Sequence, residues 1–191
     1  AASDVYKRQG VSASAVFDDA VRVVDTDSAG MAVGAAAIVA ASFARAGADL
    51  DGCAAAAEGA LAMSETWLYL RQLDDMRKSG RLSATTAMLS AALLATKPIL
   101  RVNDGKLELA IKTRTQSKAF SKLVAHVVDR ADGSPVFAAV QYSADEDSAA
   151  ALAEMLKEEL VDGSSVHLFP FTDAVAAHTG EGAIGLSVFY P

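Results

Sequence analysis

Short runs of β-branched and aromatic residues alternate along this chain with Ala- and Leu-rich stretches at helical spacing, and no other feature limits the fold as strongly. VRVVD (21–25), TWLYL (66–70), PILRV, LELAIKTR, PVFAAVQYS, SVHLFPF, DAVAAH and LSVFYP read as strands. A helix is predicted after an N-cap at Asp27 or Ser28, closed by Gly47, and a second begins near Asp49 and Asp51. LDDMRKSG forms a short helix stopped by Gly80. Another starts near Ser83 and runs through Met88, Leu89, Leu93 and Leu94 until Pro98 ends it. SKAFSKLVAHVVDRA and DEDSAAALAEMLKEELV complete the helices. NDGK (103–106) is a hairpin turn, since Asp-Gly supplies the positive φ such turns need. This order implies an α/β fold: a mixed sheet with flanking helices and one β-hairpin.

With 52% of its 191 residues apolar, the chain has ample material for a packed core, and no repeat or low-complexity linker divides it. AGMAVGAAAIVAASFARAG is Ala-heavy and reads as a buried helix, so no integral membrane segment is expected. The formal charge of -7 argues against nucleic acid as a partner, because phosphate binding needs a basic surface. Cys53 is the only cysteine, which excludes an internal disulfide and fits a reducing, cytoplasmic compartment. The first nine residues, AASDVYKRQ, differ in composition from the sequence after them, and SDVYKRQ looks like translated adapter sequence.

HTGEGAIG (178–185) holds G-x-G-x-x-G, the letters of a dinucleotide-binding loop. That loop must open a helix. Only the strand-like LSVFYP follows Gly185, and Glu181 would set a negative charge beside any pyrophosphate. The glycines therefore read as a turn between two strands, with His178 at the end of the first. There His178 is either a hydrogen-bond donor to an anion or a residue tying down its own turn. His126 and His167 lack neighbours at metal-ligand spacing and read as packed or surface residues; no metal site can be assembled. Arg81 follows Gly80 into a loop, where a guanidinium suits bidentate binding of carboxylate or phosphate. Arg71, Arg77 and Lys78 read as a solvated face paired with Asp74 and Asp75. No G-x-S-x-G elbow is present, and Cys53 lies mid-helix, so nucleophilic catalysis has little support.

Four stretches in order carry a family resemblance. VRVVDTDSAGMAVG resembles the V-x-V-x-D-S-x-x-x-S-x-G of DegV-family proteins, and LDDMRKSGRLSATTAMLSAALLATKPIL their L-x-x-L-x-x-G-G-R-I-S segment and K-P-I-L strand. NDGKLELAIKTRTQSKAF resembles their D-G hairpin and R-x-x-x-K-A helix start, and AAHTGEGAIGLSVF their closing A-H-T-G-P-G turn. The resemblance implies a non-catalytic lipid-binding protein that takes a long-chain fatty acid, needs no cofactor, and presents the carboxylate to a fatty-acid kinase catalytic protein for phosphorylation. It implies that His178 hydrogen-bonds the carboxylate and that Arg81 lies on the partner-facing rim. Met31, Leu89, Leu93 and Leu94 are expected to line the acyl tail, an ordinary core role being the alternative. Ser79 and Glu181 replace the Gly of G-G-R and the Pro of H-T-G-P-G, and Glu181 brings a negative charge near the carboxylate. The expected organisation is a non-native segment at 1–9, a remnant of an N-terminal lobe at 10–20, and a DegV-like C-terminal lipid-binding lobe at 21–191. The alternatives are a small-molecule enzyme with His178 as general base and Arg81 as anion clamp, or a non-catalytic interaction module.

Overall fold

The computed structural model describes residues 2–71 and 96–191. Helix α1 (Ala2–Ser14) and a 3-10 turn (Ala15–Ala20) precede α2 (Met31–Arg45) and α3 (Leu50–Ala62). Then come β1 (Ser64–Tyr69), β2 (Lys97–Asn103), β3 (Lys106–Thr113), α4 (Gln116–Ala131) and β4 (Phe137–Tyr142). The chain ends with α5 (Glu146–Glu159), β5 (Ser165–Pro170), α6 (Asp173–Thr179) and β6 (Ile184–Phe189). The strands form one sheet in the order β3-β2-β1-β6-β4-β5. Among the described strands only β4 and β5 run parallel, and α5 makes the crossover that a parallel pair requires. The expected mixed α/β sheet with a hairpin is the observed fold.

Local chemistry accounts for most boundaries. Asp104 (φ 46) and Gly105 (φ 68) both take positive φ at the β2–β3 turn, as the Asp-Gly pair predicts. Asp49 caps α3 by accepting from the Gly52 N–H at 2.8 Å, and Thr115 caps α4 by accepting from the Lys118 N–H at 3.3 Å. Helix α4 buries Phe120, Leu123, Val124 and Val127 at helical spacing against one face of the sheet, where α5 adds Leu152 and Leu156. On the opposite face α2 and α3 meet through Ala36, Ala57 and Ala60, small side chains that let the helices approach closely over Phe189. Both faces of β1 are therefore covered, which is why TWLYL is a continuous apolar run rather than an alternating one.

Two expectations fail. VRVVD is not a strand: among the described residues no strand pairs with it, and Val21 and Val23 are 38% and 40% exposed. β-branched residues favour extended backbone, but a strand exists only where a neighbour completes its hydrogen bonds. DAVAAH is not a strand either; it lies in α6. Its three alanines are strong helix formers, and so short a segment offers too few residues for apolar alternation to separate strand from helix. The helices expected within 72–95, with Arg81, Leu89, Leu93 and Leu94, lie outside the described residues.

Among the described residues, the α4 side of the sheet holds one buried carboxylate. Glu65, its side chain 4% exposed, accepts from Arg101 Nη2 at 2.8 Å and lies 3.2 Å from Arg130 Nε. Its second oxygen accepts from the Tyr190 hydroxyl and lies within hydrogen-bond distance of His126 Nε2, each at 3.2 Å. Four contacts thus tie β1 to β2, to α4 and to the chain end, and His126 is half-buried among them. Burial, with the Glu65 carboxylate beside it, holds the Tyr190 hydroxyl well above the ordinary phenol range. The folded state thereby favours neutral Tyr190. That contribution is whole below the unfolded phenol's pKa of about 10 and is lost as pH rises beyond it. Tyr190→Phe should cost about 1 kcal/mol near neutral pH by removing one hydrogen bond. It should also flatten the decline in stability above about pH 10, measured by urea unfolding across that range.

Candidate functional site

Gly185, in the middle of β6, organises the α2 side of the sheet. It faces Leu68 across one strand boundary and Gln141 across the other. A Cβ at this position would lie 2.7 Å from Cζ of Phe171, so the aromatic ring occupies the space that any side chain here would fill. Toward β1, Leu68, Leu70, Leu100, Leu107 and Ala183 form a buried apolar cluster with Phe171 packed against it.

Toward β4 the same face turns polar. The Gln141 side-chain carbonyl accepts from the Met31 N–H at 3.0 Å. This caps α2 from 110 residues away and replaces the expected cap at Asp27 or Ser28, since the N-cap residue is Gly30, which carries no side chain. Gly30 sits at φ 66, and a Cβ on it would come 2.6 Å from Gln141 Oε1. Thr66 Oγ1 donates to the Ala29 carbonyl at 3.2 Å and lies 3.2 Å from Ser187 Oγ and 3.4 Å from Ser28 Oγ. The sequence reading missed this group. Its signal was one polar residue inside each of three apolar runs: Thr66 in TWLYL, Gln141 in PVFAAVQYS and Ser187 in LSVFYP.

Phe171 leads into the rim. Its N–H donates to the Tyr142 carbonyl at 2.7 Å, and the chain then turns into α6. His178 sits in the last turn of that helix, exposed, rather than at a strand end. Gly180 (φ 75) closes the helix by donating to the Ala176 carbonyl at 2.9 Å, and Gly182 (φ 75) donates to the Ser143 carbonyl at 2.7 Å. The glycines leave a helix and enter a strand, the reverse of a dinucleotide loop. Arg71 lies against this turn, Cδ only 2.8 Å from where a Gly182 Cβ would stand. Its charge opposes the upward push that burial gives the Tyr69 hydroxyl.

Of the six residues expected at the ligand or its rim, Met31 and His178 lie within the described residues. Met31 is half-buried at the start of α2, its thioether folded so closely over Gly34 that a Cβ there would meet it at 2.8 Å. The Gln141 bond brings the Met31 backbone beside the residue that faces Gly185. Among the described residues no carboxylate lies within hydrogen-bond reach of His178, and no three His, Cys, Asp or Glu side chains converge as a metal site. Among them, too, no helix is long and apolar enough to cross a membrane. What the arrangement offers is a buried apolar cluster with hydroxyl and amide groups on its β4 side, followed in the chain by a helix that ends in an exposed imidazole.

The family model described as "Uncharacterised protein, DegV family" matches residues 2–190. A DegV domain-containing protein of Streptomyces coelicolor is 39% identical over 168 residues, covering 88% of this chain and 59% of that protein. The crystal structure of a DegV family protein from Corynebacterium glutamicum is 51% identical with a TM-score of 0.89, covering 94% of this chain and 68% of that one. A DegV family protein from Thermus thermophilus, its structure described as showing fatty acid binding, is 26% identical with a TM-score of 0.84, covering 94% of this chain and 64% of that one. The chain spans 59% to 66% of the length of its first three curated relatives.

The cradle around Gly30 makes a direct test of the site. Gly30→Ala forces a side chain into left-handed backbone and against the Gln141 carbonyl, and should destabilise the fold by about 1–3 kcal/mol in urea unfolding. Gly47 also has positive φ (93), but a Cβ there meets nothing within 4 Å. Gly47→Ala should therefore cost less than Gly30→Ala, bearing the backbone strain alone.

Proposed function

This chain belongs to the DegV family, and from that premise we propose that it binds a long-chain fatty acid. The observation that carries the reading is the leucine cluster on the α2 side of the sheet, bordered by the Thr66–Ser187–Gln141 group and followed in the chain by the helix that bears His178. Each methylene of a tail buried against apolar side chains contributes about 0.8 kcal/mol, so a long chain gains more from apolar contact than from any single polar one. The T. thermophilus relative described as binding fatty acid supports the same ligand class.

In this reading the acyl tail runs past Met31, Leu89, Leu93 and Leu94, and His178 hydrogen-bonds the carboxylate. Arg81 lies on the rim that faces a fatty-acid kinase, which phosphorylates the presented carboxylate in the cytoplasm. The chain itself binds and presents; it does not catalyse. Residues 21–191 form the lipid-binding lobe, and 10–20 belong to a lobe that closes over the ligand. That division fits a sheet whose six strands all fall after residue 63.

The test is mass spectrometry of the solvent extract from two purified proteins: the chain as it stands, and a longer form that includes the proposed upstream lobe. Fatty acid in the longer form is expected. His178→Ala should lower its acyl affinity by about 10-fold or more, the loss of one hydrogen bond to a charged group. Fatty acid in neither protein, with the longer form folded by circular dichroism, would overturn the proposal.

A further inference from the structure

We propose that the cavity between β3 and α4, with Trp67 at its base, binds a short dipolar peptide of about three residues. The cavity holds about 540 Å³, within the range of about 300–1,000 Å³ usual for small-molecule sites. It lies on the α4 face of the sheet, so the inference stands apart from the fatty-acid reading. An irregularity in the edge strand borders it. The β2–β3 register pairs Leu109 with Leu100 and Ile111 with Ile99, which leaves Ala110 bulged and without a partner. Bulges bend a strand and are frequent at sheet edges and beside active sites. Ala110 and Ile111 line one wall of the cavity, and Lys122, His126 and Asp129 of α4 line the other. Ala110, Lys122 and Asp129 are exposed, so both walls are open to a ligand.

The base and the walls ask for different things. Trp67 is 3% exposed, and its Nε1 has no hydrogen-bond partner among the described residues. The other such atom among them is Nε of Arg101, the residue paired with Trp67 across β1 and β2. A buried N–H without an acceptor is costly, so the indole calls for a carbonyl or carboxylate oxygen. The ring is already held in place: the Arg101 guanidinium lies 5.4 Å from its centroid, and His126, bonded to Glu65, meets it edge-on at 4.7 Å. A base so held loses little freedom on binding. The α4 wall carries opposite charges. Lys122 and Asp129 stand two helical turns apart, about 10.5 Å along the axis. Among the described residues neither makes a hydrogen bond or an ion pair. An extended tripeptide spans about 10 Å, at roughly 3.3–3.6 Å per residue. Its carboxylate would meet Lys122, its ammonium Asp129, and an amide carbonyl would give the indole its acceptor. Small apolar side chains suit the Ile111 wall.

Trp67 is the chain's only tryptophan, so its fluorescence reports on the cavity directly. Titration with trialanine should give a saturable change in emission. Dialanine, too short to reach both charges, and N-acetyl-trialanine amide, which carries neither, should each bind about fivefold more weakly or worse. Lys122→Gln and Asp129→Asn, both at exposed positions, should each weaken trialanine binding by about threefold to fivefold. Trp67→Phe, followed by calorimetry, keeps an aromatic ring without the N–H and should cost about fivefold or more. Should that core substitution unfold the protein, the two surface variants carry the test. No saturable change with trialanine would overturn the proposal. So would equal binding of the blocked peptide, or undiminished binding of trialanine by both surface variants. Each of these outcomes leaves the fatty-acid reading where it stands.

Discussion

The last strand holds the sheet together. β6 pairs along its full length with β1 on one side and with β4 on the other, so it joins the β1–β2–β3 half of the sheet to the β4–β5 half. Because successive side chains of a strand point to opposite faces, this one strand also divides the molecule's work. Ile184, Leu186, Val188 and Tyr190 point into the core beneath α4 and α5, the last of them reaching Glu65. Ala183, Gly185, Ser187 and Phe189 point to the other face, where they join the leucine cluster, seat Phe171, bond Thr66 and pack under α2 and α3. A register slip of one residue would exchange these two sets and destroy core and candidate site together.

The two faces solve the problem of buried polarity differently. On the α4 side a single carboxylate is surrounded by two guanidiniums, an imidazole and a phenol, and the cations keep much of their surface in water. Glu65 thus gains partners without forcing three charged groups into the interior together, which limits the desolvation cost. On the α2 side the polar groups are neutral and satisfy one another: Thr66 with Ser187 and the Ala29 carbonyl, Gln141 with the first N–H of α2. Leaving any of them unpaired would cost about 1–3 kcal/mol, so the 26–30 loop is bound to the sheet by the need to complete this set. The hairpin joins the same arrangement, for the Gly105 N–H donates to the Asp27 carbonyl at 3.0 Å.

Features written in neighbouring residues were legible in the sequence. The Asp104–Gly105 turn, the Asp49 cap, the amphipathic face of α4 and the order of most strands each follow from chemistry within a few positions. The family was legible too, because its four motifs keep their order. What could not be read joins distant positions. Gln141 caps a helix that begins at Met31, and Glu65 gathers Arg101, His126, Arg130 and Tyr190 from three other elements. VRVVD has the propensity of a strand without a partner, and DAVAAH the alternation of a strand in a segment that its alanines coil into helix. The glycines of HTGEGAIG form the turn the sequence predicts, but the element before them is a helix rather than a strand, which places His178 in its exposed last turn.

That relocation bears on how a fatty-acid carrier would work. A carboxylate buried deep among leucines would be costly to desolvate and out of a second protein's reach. At the end of α6 the imidazole is exposed, while Phe171, seven residues earlier in the same segment, is packed against the leucine cluster. The segment from 171 to 178 therefore spans from apolar interior to solvent over one short helix. The ligand proposed above, with an apolar tail and a charged head, would match that gradient in both halves. Under the proposed function, apolar burial of the tail would supply the binding energy, and an exposed His178 would leave the carboxylate within reach of a second protein.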